Sequence, residues 1–343
     1  MLFRRRSAIL YPFMSDLHSM TDWERLKQLL DNQADDGSTM SIDESEFLAH
    51  LQARVKGQDP ILKDVARLIR LQAAKQQKTR PICNLLFLGP TGTGKTELAK
   101  AIGSFLFNEE KSMLRFDCSE LNGAHSKDRL IGTPAGYVAS EQGGQLTRPV
   151  LSNPKRLILF DEIEKAYPPV FDLFLQMMGE ARLTEQGSGK TADFSRSIII
   201  LTSNADAEQI GKIQREVTDY HEMVNAVKSH LADSKIFRPE IIGRIDRVYV
   251  FQPLSGMVIA EIALLKITKL AEQYRLKVKF VAPELLLQAL AANEKVSRFG
   301  IRELERILDD MLAGQLLQAR DLGAKEVLLE PDLSKDEISI RPN

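Results

Sequence analysis

Residues 89–96 read Gly89-Pro90-Thr91-Gly92-Thr93-Gly94-Lys95-Thr96. This G-x-x-x-x-G-K-[ST] spacing lets successive backbone N–H groups surround a polyphosphate, while the helix that follows directs its positive end at the same charge. Lys95 is then placed to reach the β and γ phosphates, and the Thr96 hydroxyl to hold Mg²⁺. A plain glycine-rich turn requires neither a lysine nor a hydroxyl at the helix start.

A second chemical signal is Leu157-Ile158-Leu159-Phe160-Asp161-Glu162, an apolar run that delivers two adjacent carboxylates. Asp161 is the natural outer partner of Mg²⁺, and Glu162 is placed to accept a proton from water attacking the γ phosphate. Alone, the pair reads equally well as a solvated strand end; about 70 residues after a phosphate loop it reads as the second half of a hydrolytic site. The third signal, Ile198-Ile199-Ile200-Leu201-Thr202-Ser203-Asn204, again ends a strand in polar residues. Asn204 is placed to orient the attacking water, although asparagine after a strand is also a common turn residue.

These residues need a scaffold that brings strand ends together. Apolar runs at Leu85–Leu88, Leu114–Phe116, Leu157–Phe160, Ile198–Leu201 and Val248–Phe251 alternate with helical patterns, which predicts an α/β fold with a parallel sheet covered on both faces. Leu98, Ile102, Phe105 and Leu106 supply the helix after the phosphate loop. Beyond Pro253 the character changes. Ile259, Ile262, Ala263, Ile267, Leu270 and Tyr274 repeat at helical spacing, then Leu276, Val278 and Phe280 alternate. Helices over 283–292 and 300–319 and short strands at 326–329 and 337–340 complete a smaller C-terminal module. Toward the N-terminus, Trp23, Leu26 and Leu30 fall on one face of a short helix over 22–31, and the polar stretch Asp31–Ser41 reads as a linker.

The 343 residues suffice for one large domain and a smaller one, and 46 basic side chains against 47 acidic ones leave no overall field for nucleic acid or an anionic membrane. Cys83 and Cys118 sit beside expected central strands, as in a reducing compartment. The scattered His18, His50, His125, His221 and His230 suggest no metal site. The basic start with its short apolar run is interrupted by Pro12 and soon followed by Asp16, and no stretch approaches the roughly 20 apolar residues of a spanning helix. A cytoplasmic protein with a basic tail is expected.

Five further segments make the pattern specific: Phe116-Asp117-Cys118-Ser119-Glu120, then RLIGTPAGYVASEQGGQLT (129–147), LILFDEIEKAYPPVF (157–171), ARLTEQGSGKTADF (181–194) and FRPEIIGRIDRVYVF (237–251). In order and spacing the chain resembles the Clp-type AAA+ unfoldases, most closely the second ATPase module of ClpA and ClpB, over roughly 46–340. The resemblance implies an AAA+ P-loop large domain with a five-stranded parallel sheet (46–252), a smaller, mainly helical C-terminal domain (253–343), an N-terminal extension (1–45), and ATP with Mg²⁺ at subunit seams of a hexameric ring. By position, it implies that Val55 lines the adenine, that Gly89 to Thr96 bind the phosphates, that Thr96 and Asp161 serve the metal, and that Asn204 is a sensor. Arg244 matches the arginine finger that reaches a neighbour's ATP, and Arg302 the sensor arginine of the small domain.

Gly132-Thr133-Pro134-Ala135-Gly136-Tyr137-Val138-Ala139 places an aromatic and a branched apolar residue in a glycine-flanked loop that cannot bury them well. The resemblance implies that Tyr137 and Val138 project into a central channel and grip an extended polypeptide, with a second channel hairpin around Thr184–Thr191. Lys56, Ala139 and Gly243 depart from the family pattern, touching nucleotide affinity and loop flexibility rather than the chemistry. The segment 205–236 reads as a polar insertion whose Ile210-Gly211-Lys212 suits a hydrophobic peptidase socket poorly.

Together these readings describe a single-ring ATP-dependent protein unfoldase, with residues 1–45 recruiting an adaptor or client through Trp23, Leu26 and Leu30. Two alternatives stay open at this level: a nucleic-acid motor or loader on the same ATPase core, and an ATP-switched assembly protein that threads nothing.

Overall fold

The computed structural model describes residues 40–75, 79–107, 113–137, 140–234, 236–254, 256–291, 301–332 and 337–342. Two helices, α1 (Glu44–Arg54) and α2 (Asp59–Ala73), lead into β1 (Cys83–Leu88). Asp43 starts α1 by accepting the Glu46 amide at 2.9 Å, which satisfies one of the free donors of the first turn. Then follow α3 (Lys95–Phe107), β2 (Met113–Asp117), α4 (Ser126–Ile131), α5 (Thr147–Ser152), β3 (Leu157–Asp161) and α6 (Val170–Glu180). A hairpin of β4 (Arg182–Thr184) and β5 (Thr191–Asp193) precedes β6 (Ile198–Ser203), α7 (Ala207–Glu216), α8 (Tyr220–Asp233), α9 (Pro239–Ile242) and β7 (Arg247–Val250).

Five strands form one sheet in the order β2-β3-β6-β1-β7, all parallel. Parallel neighbours need crossovers, and the helices that supply them cover both faces, so β1, β3 and β6 are buried at every position. That is why these strands read as continuous apolar runs. One face packs on α1, α2 and α3 through Phe47, Leu51, Leu62, Ile69, Leu98 and Ile102. The other packs on α6 and α8 through Phe160, Phe174, Met177, Val227 and Leu231. Cys118 is in this second layer, and burial pushes its thiol above the usual range, so it stays protonated and inert.

A third core is separate. Helices α10 (Gly256–Gln273), α11 (Pro283–Ala291) and α12 (Ile301–Asp321) surround Ile259, Ala263, Ile267, Leu304, Leu308 and Leu312. With them goes a sheet in the order β10-β9-β8, from β8 (Lys277–Val281), β9 (Glu326–Asp332) and β10 (Glu337–Pro342).

Every strand expected from the sequence is present, with ends within a few residues. The segment 205–236 departs from expectation. It forms the helix pair α7 and α8, and Ile210 is buried in the main core. Its amphipathic pattern was masked by charges on the outer face, where Lys212 lies 3.4 Å from Glu208. The expected helix over 22–31, with Trp23, Leu26 and Leu30, lies outside the described residues.

Candidate nucleotide site

The loop between β1 and α3 is shaped by three glycines with positive φ: Gly89 at 132°, Gly92 at 80° and Gly94 at 102°. At Gly89 a side chain would also run into the Phe251 carbonyl, 2.8 Å from the position of a Cβ. The Lys95 ammonium donates to the carbonyls of Gly89 at 2.6 Å and Pro90 at 2.7 Å, which holds it along the concave side of the loop. Burial pushes its pKa down from 10.5 to about 8, against the opposing pull of Asp161, Glu164 and Glu162. A buried cation short of counter-charge is a ready receptor for phosphate.

Asp161 ends β3 beside this lysine. One carboxylate oxygen accepts the Thr202 hydroxyl proton; the other accepts from Arg115 at 2.8 Å and from the Thr96 hydroxyl at 3.3 Å. The Thr96 and Asp161 oxygens form the hard, oxygen-only donor pair that suits Mg²⁺, which keeps several waters and takes the rest of its shell from phosphate. Glu162 adopts the left-handed conformation, φ 55°, which turns its side chain off the strand and toward Asn204, whose carboxamide donates to it at 3.4 Å. Lys165 holds the other Glu162 oxygen at 2.5 Å. Asn204 also reaches Thr91 at 3.5 Å, so it bridges the phosphate loop and the second carboxylate.

These groups line a cavity of about 520 Å³. Val55, which caps α1 and is buried, forms part of its wall beside Lys56, and Ile262, Leu265, Lys266 and Lys269 of α10 close the opposite side. Thr91, Gly92, Thr93, Gly94, Lys95, Thr96, Asp161, Glu162 and Asn204 therefore converge as the sequence predicts.

Gly89 and Pro90 meet the Lys95 ammonium without lining the cavity, and two further expected residues are elsewhere. Arg244 follows α9 and is absent from the cavity wall. Tyr137 is 70% exposed on the loop after α4. Val138 lies outside the described residues. Arg302 begins α12, and its side chain is likewise outside them.

Sequence reasoning missed Arg115, Thr202, Lys165 and the α10 lysines. Arg115 was legible in part, since a charged residue inside a strand calls for a partner, and the register of β2 on β3 sets Asp117 opposite Asp161 with Arg115 two residues before it. Thr202 looked like ordinary strand-end polarity. The α10 contribution depends on how the C-terminal core sits against the sheet, which no local pattern encodes.

A phosphate cradle at the carboxyl ends of a β2-β3-β6-β1-β7 sheet, roofed by a separate helical core, defines a P-loop nucleotide-binding protein of the AAA+ class. Residues 80–248 match the family described as AAA domain (Cdc48 subfamily). The chain carries a Clp-type AAA+ module. It is 38% identical over 307 residues to "Chaperone protein ClpB" of Corynebacterium diphtheriae, covering 87% of this chain and 34% of that protein. It is 40% identical over 282 residues to "Chaperone protein ClpB 2" of Nostoc, covering 80% and 32%. With "Negative regulator of genetic competence ClpC/MecB" of Bacillus subtilis it shares 38% over 295 residues, covering 82% and 36%. The chain thus spans about a third of the length of the curated relatives it matches.

Proposed function

We propose that this protein is an ATP-dependent protein unfoldase that hydrolyses ATP at the seams of a hexameric ring and pulls polypeptide through a central channel. Residues 46–252 act as the large ATPase domain, 253–343 as the small one, and 1–45 as a recruiting extension. Lys95 and the loop amides hold the β and γ phosphates, Thr96 and Asp161 hold Mg²⁺, and Val55 packs on the adenine. Mg²⁺ offsets charge on the phosphate oxygens during transfer to water. Glu162 takes the proton of the attacking water, Asn204 orients that water, and Arg244 from the adjoining subunit and Arg302 of the same chain neutralise charge on the γ phosphate.

The observation that carries threading is Tyr137. Tyr137 is 70% exposed on its loop, so its aromatic face is available to a partner outside its own fold. A flat ring grips backbone and side chains with little regard to sequence, which suits varied clients. Because α10 and the phosphate loop share one cavity, closure on ATP and reopening after hydrolysis would move Tyr137 along the channel axis. Docking of a peptidase through Ile210-Gly211-Lys212 is not part of this function, since Ile210 is committed to the core. Among the described residues no helix is long and apolar enough to cross a membrane, and the buried cysteine thiols fit the reducing cytoplasm.

Tyr137→Ala tests the reading. The variant is expected to keep its ATPase rate and lose unfolding of a tagged model protein. Unchanged unfolding would remove the threading role, and salt-sensitive DNA binding with DNA-stimulated ATPase would favour a nucleic-acid motor instead.

A further inference from the structure

Arg244 is held in place by its backbone, and among the described residues no anion meets its tip. Its carbonyl accepts from the Asn84 carboxamide and from Arg80, each at 3.0 Å. Asn84, the second residue of β1, is 1% exposed, and its carboxamide also donates to the Met178 carbonyl at 3.0 Å. That carbonyl belongs to the last turn of α6, where carbonyls lack helical partners. The Asn84 backbone exchanges two bonds with Asp246, both at 2.8 Å. One side chain therefore fastens the end of α6, the Arg244 backbone and the strand that leads to the phosphate loop.

The carboxamide oxygen of Asn84 is buried without a partner. Its orientation is fixed all the same, because an oxygen turned toward two carbonyls would be repelled by both. A buried orphan acceptor costs stability, so the residue is explained by what its NH₂ group holds.

The Arg244 guanidinium lies against Gly179, in the last turn of α6, and a Cβ there would fall inside it. The negative end of the helix favours a cation at this place. Among the described residues no carboxylate pairs with Arg244; Asp246 is engaged by Arg80 at 3.6 Å.

We propose that Asn84 and Gly179 are positioning residues for the Arg244 finger: Asn84 fixes the backbone from which it projects, and the bare Gly179 gives the guanidinium the berth from which it reaches the neighbouring subunit's ATP. The proposal rests on the reading of Arg244 as a finger that acts on the adjoining subunit.

Gly179→Ala separates positioning from folding. Alanine is a better helix former than glycine, and what it displaces is the flexible end of a side chain, so thermal stability should stay level or rise. Binding of a fluorescent ATP analogue with Mg²⁺ should be unchanged, because the variant's own cavity is intact. ATP hydrolysis by the homogeneous ring should fall by at least about tenfold, short of the full value of a finger. Mixing these subunits with Glu162→Gln subunits, which supply sound fingers but no hydrolysis, should restore turnover. Asn84→Leu, with the same number of side-chain heavy atoms, should lose hydrolysis and regain it on mixing in the same way, but at a cost in thermal stability, since the Met178 and Arg244 carbonyls lose their donor.

Rescue is the readout that damage to a variant's own site cannot give. Parental hydrolysis by Gly179→Ala, or a loss that Glu162→Gln subunits fail to restore, overturns the proposal. Arg244→Ala serves as control. If its loss is not restored by mixing, the finger reading itself fails, whatever the other variants do.

Discussion

The Arg115 guanidinium lies 2.8 Å from the Asp161 carboxylate oxygen that also faces the Thr96 hydroxyl. A cation from β2 thus neutralises the carboxylate expected to serve the metal. Asp161 is 8% exposed and has acidic Glu162 beside it, so without Arg115 it would keep the Thr202 hydroxyl, the weaker Thr96 contact and the charge of Lys95. Arg115→Gln should therefore lower the stability of the nucleotide-free protein. Breaking a fully buried pair costs about 3–5 kcal/mol, but Arg115 is 43% exposed, so about 1–2 kcal/mol is expected. The same variant should gain more thermal stabilisation from Mg²⁺ with ATP, because the divalent ion then meets an unneutralised carboxylate. Scanning calorimetry with and without Mg²⁺ measures both, and equal midpoints without nucleotide would show the pair to be idle.

Lys95 invites a different comparison. Its ammonium is buried and rests on two neutral carbonyls, Gly89 and Pro90, with its pKa pushed down to about 8. Removing that charge takes away the group proposed to answer phosphate. In the parent, ATP at a hundredfold excess over its Kd should add about 2.7 kcal/mol of stability. Lys95→Met should lose this gain almost entirely while folding normally, and a thermal-shift titration with ATP decides the matter. A full ATP-dependent shift in the variant would place phosphate binding elsewhere.

Glu162 is held in the left-handed region, a conformation that is costly for a residue with a side chain and that persists where the surroundings enforce it. Here the Thr202 hydroxyl accepts the Glu162 amide at 3.2 Å while Lys165 and Asn204 engage its carboxylate. Glutamine keeps the shape and loses the basicity. Glu162→Gln should bind ATP with parental affinity and hydrolyse it about 10²–10⁴ times more slowly, the range of a lost general base. Single-turnover hydrolysis beside an equilibrium binding measurement separates the two effects.

Much of this was legible because strand, phosphate loop and helix are contiguous, and because a parallel sheet brings separate strand ends to one edge. Lys95, Thr96, Asp161, Glu162 and Asn204 each follow an apolar run or a glycine-rich spacing that fixes where they emerge. Thr202 and the α10 wall were not legible, and Arg115 only in part, since their roles depend on partners distant in sequence. The helices α7 and α8 were read as an insertion because their outer faces are heavily charged while a few residues such as Ile210, Met223, Val227 and Leu231 do the burying. Gly179 is the extreme case. A glycine in a helical run looks like a weak helix former, and only the position of the Arg244 guanidinium shows what its bareness accommodates.

Glu185 joins the two loops expected to face the channel. It is 3% exposed near the tip of the β4–β5 hairpin, accepts the amides of Gly187 at 3.1 Å and Ser188 at 2.6 Å, and lies against Gly132 at the base of the Tyr137 loop, so closely that a Cβ there would collide with its carboxylate. Gln186 fastens the same junction by donating to the Ile131 carbonyl at 2.8 Å. Burial raises the pKa of such a carboxyl, but hydrogen bonds from Ser188, Gly187 and Gly144 outweigh it and leave it below the ordinary 4.5. A carboxyl whose folded value is depressed binds fewer protons in the native state than in the unfolded one. Its contribution is complete above the unfolded value and fades as pH falls through the lower folded value. The parent should therefore lose stability faster than Glu185→Gln as pH drops below about 4.5, with the two curves parallel at neutral pH. Amide exchange in 132–144 should also quicken in the variant at neutral pH, since the neutral carboxamide holds the Ser188 amide less strongly. Thermal midpoints against pH check the first expectation, and exchange mass spectrometry checks the second. Parallel curves through the acid range would mean that the Glu185 carboxylate does not tie the hairpin to the Tyr137 loop.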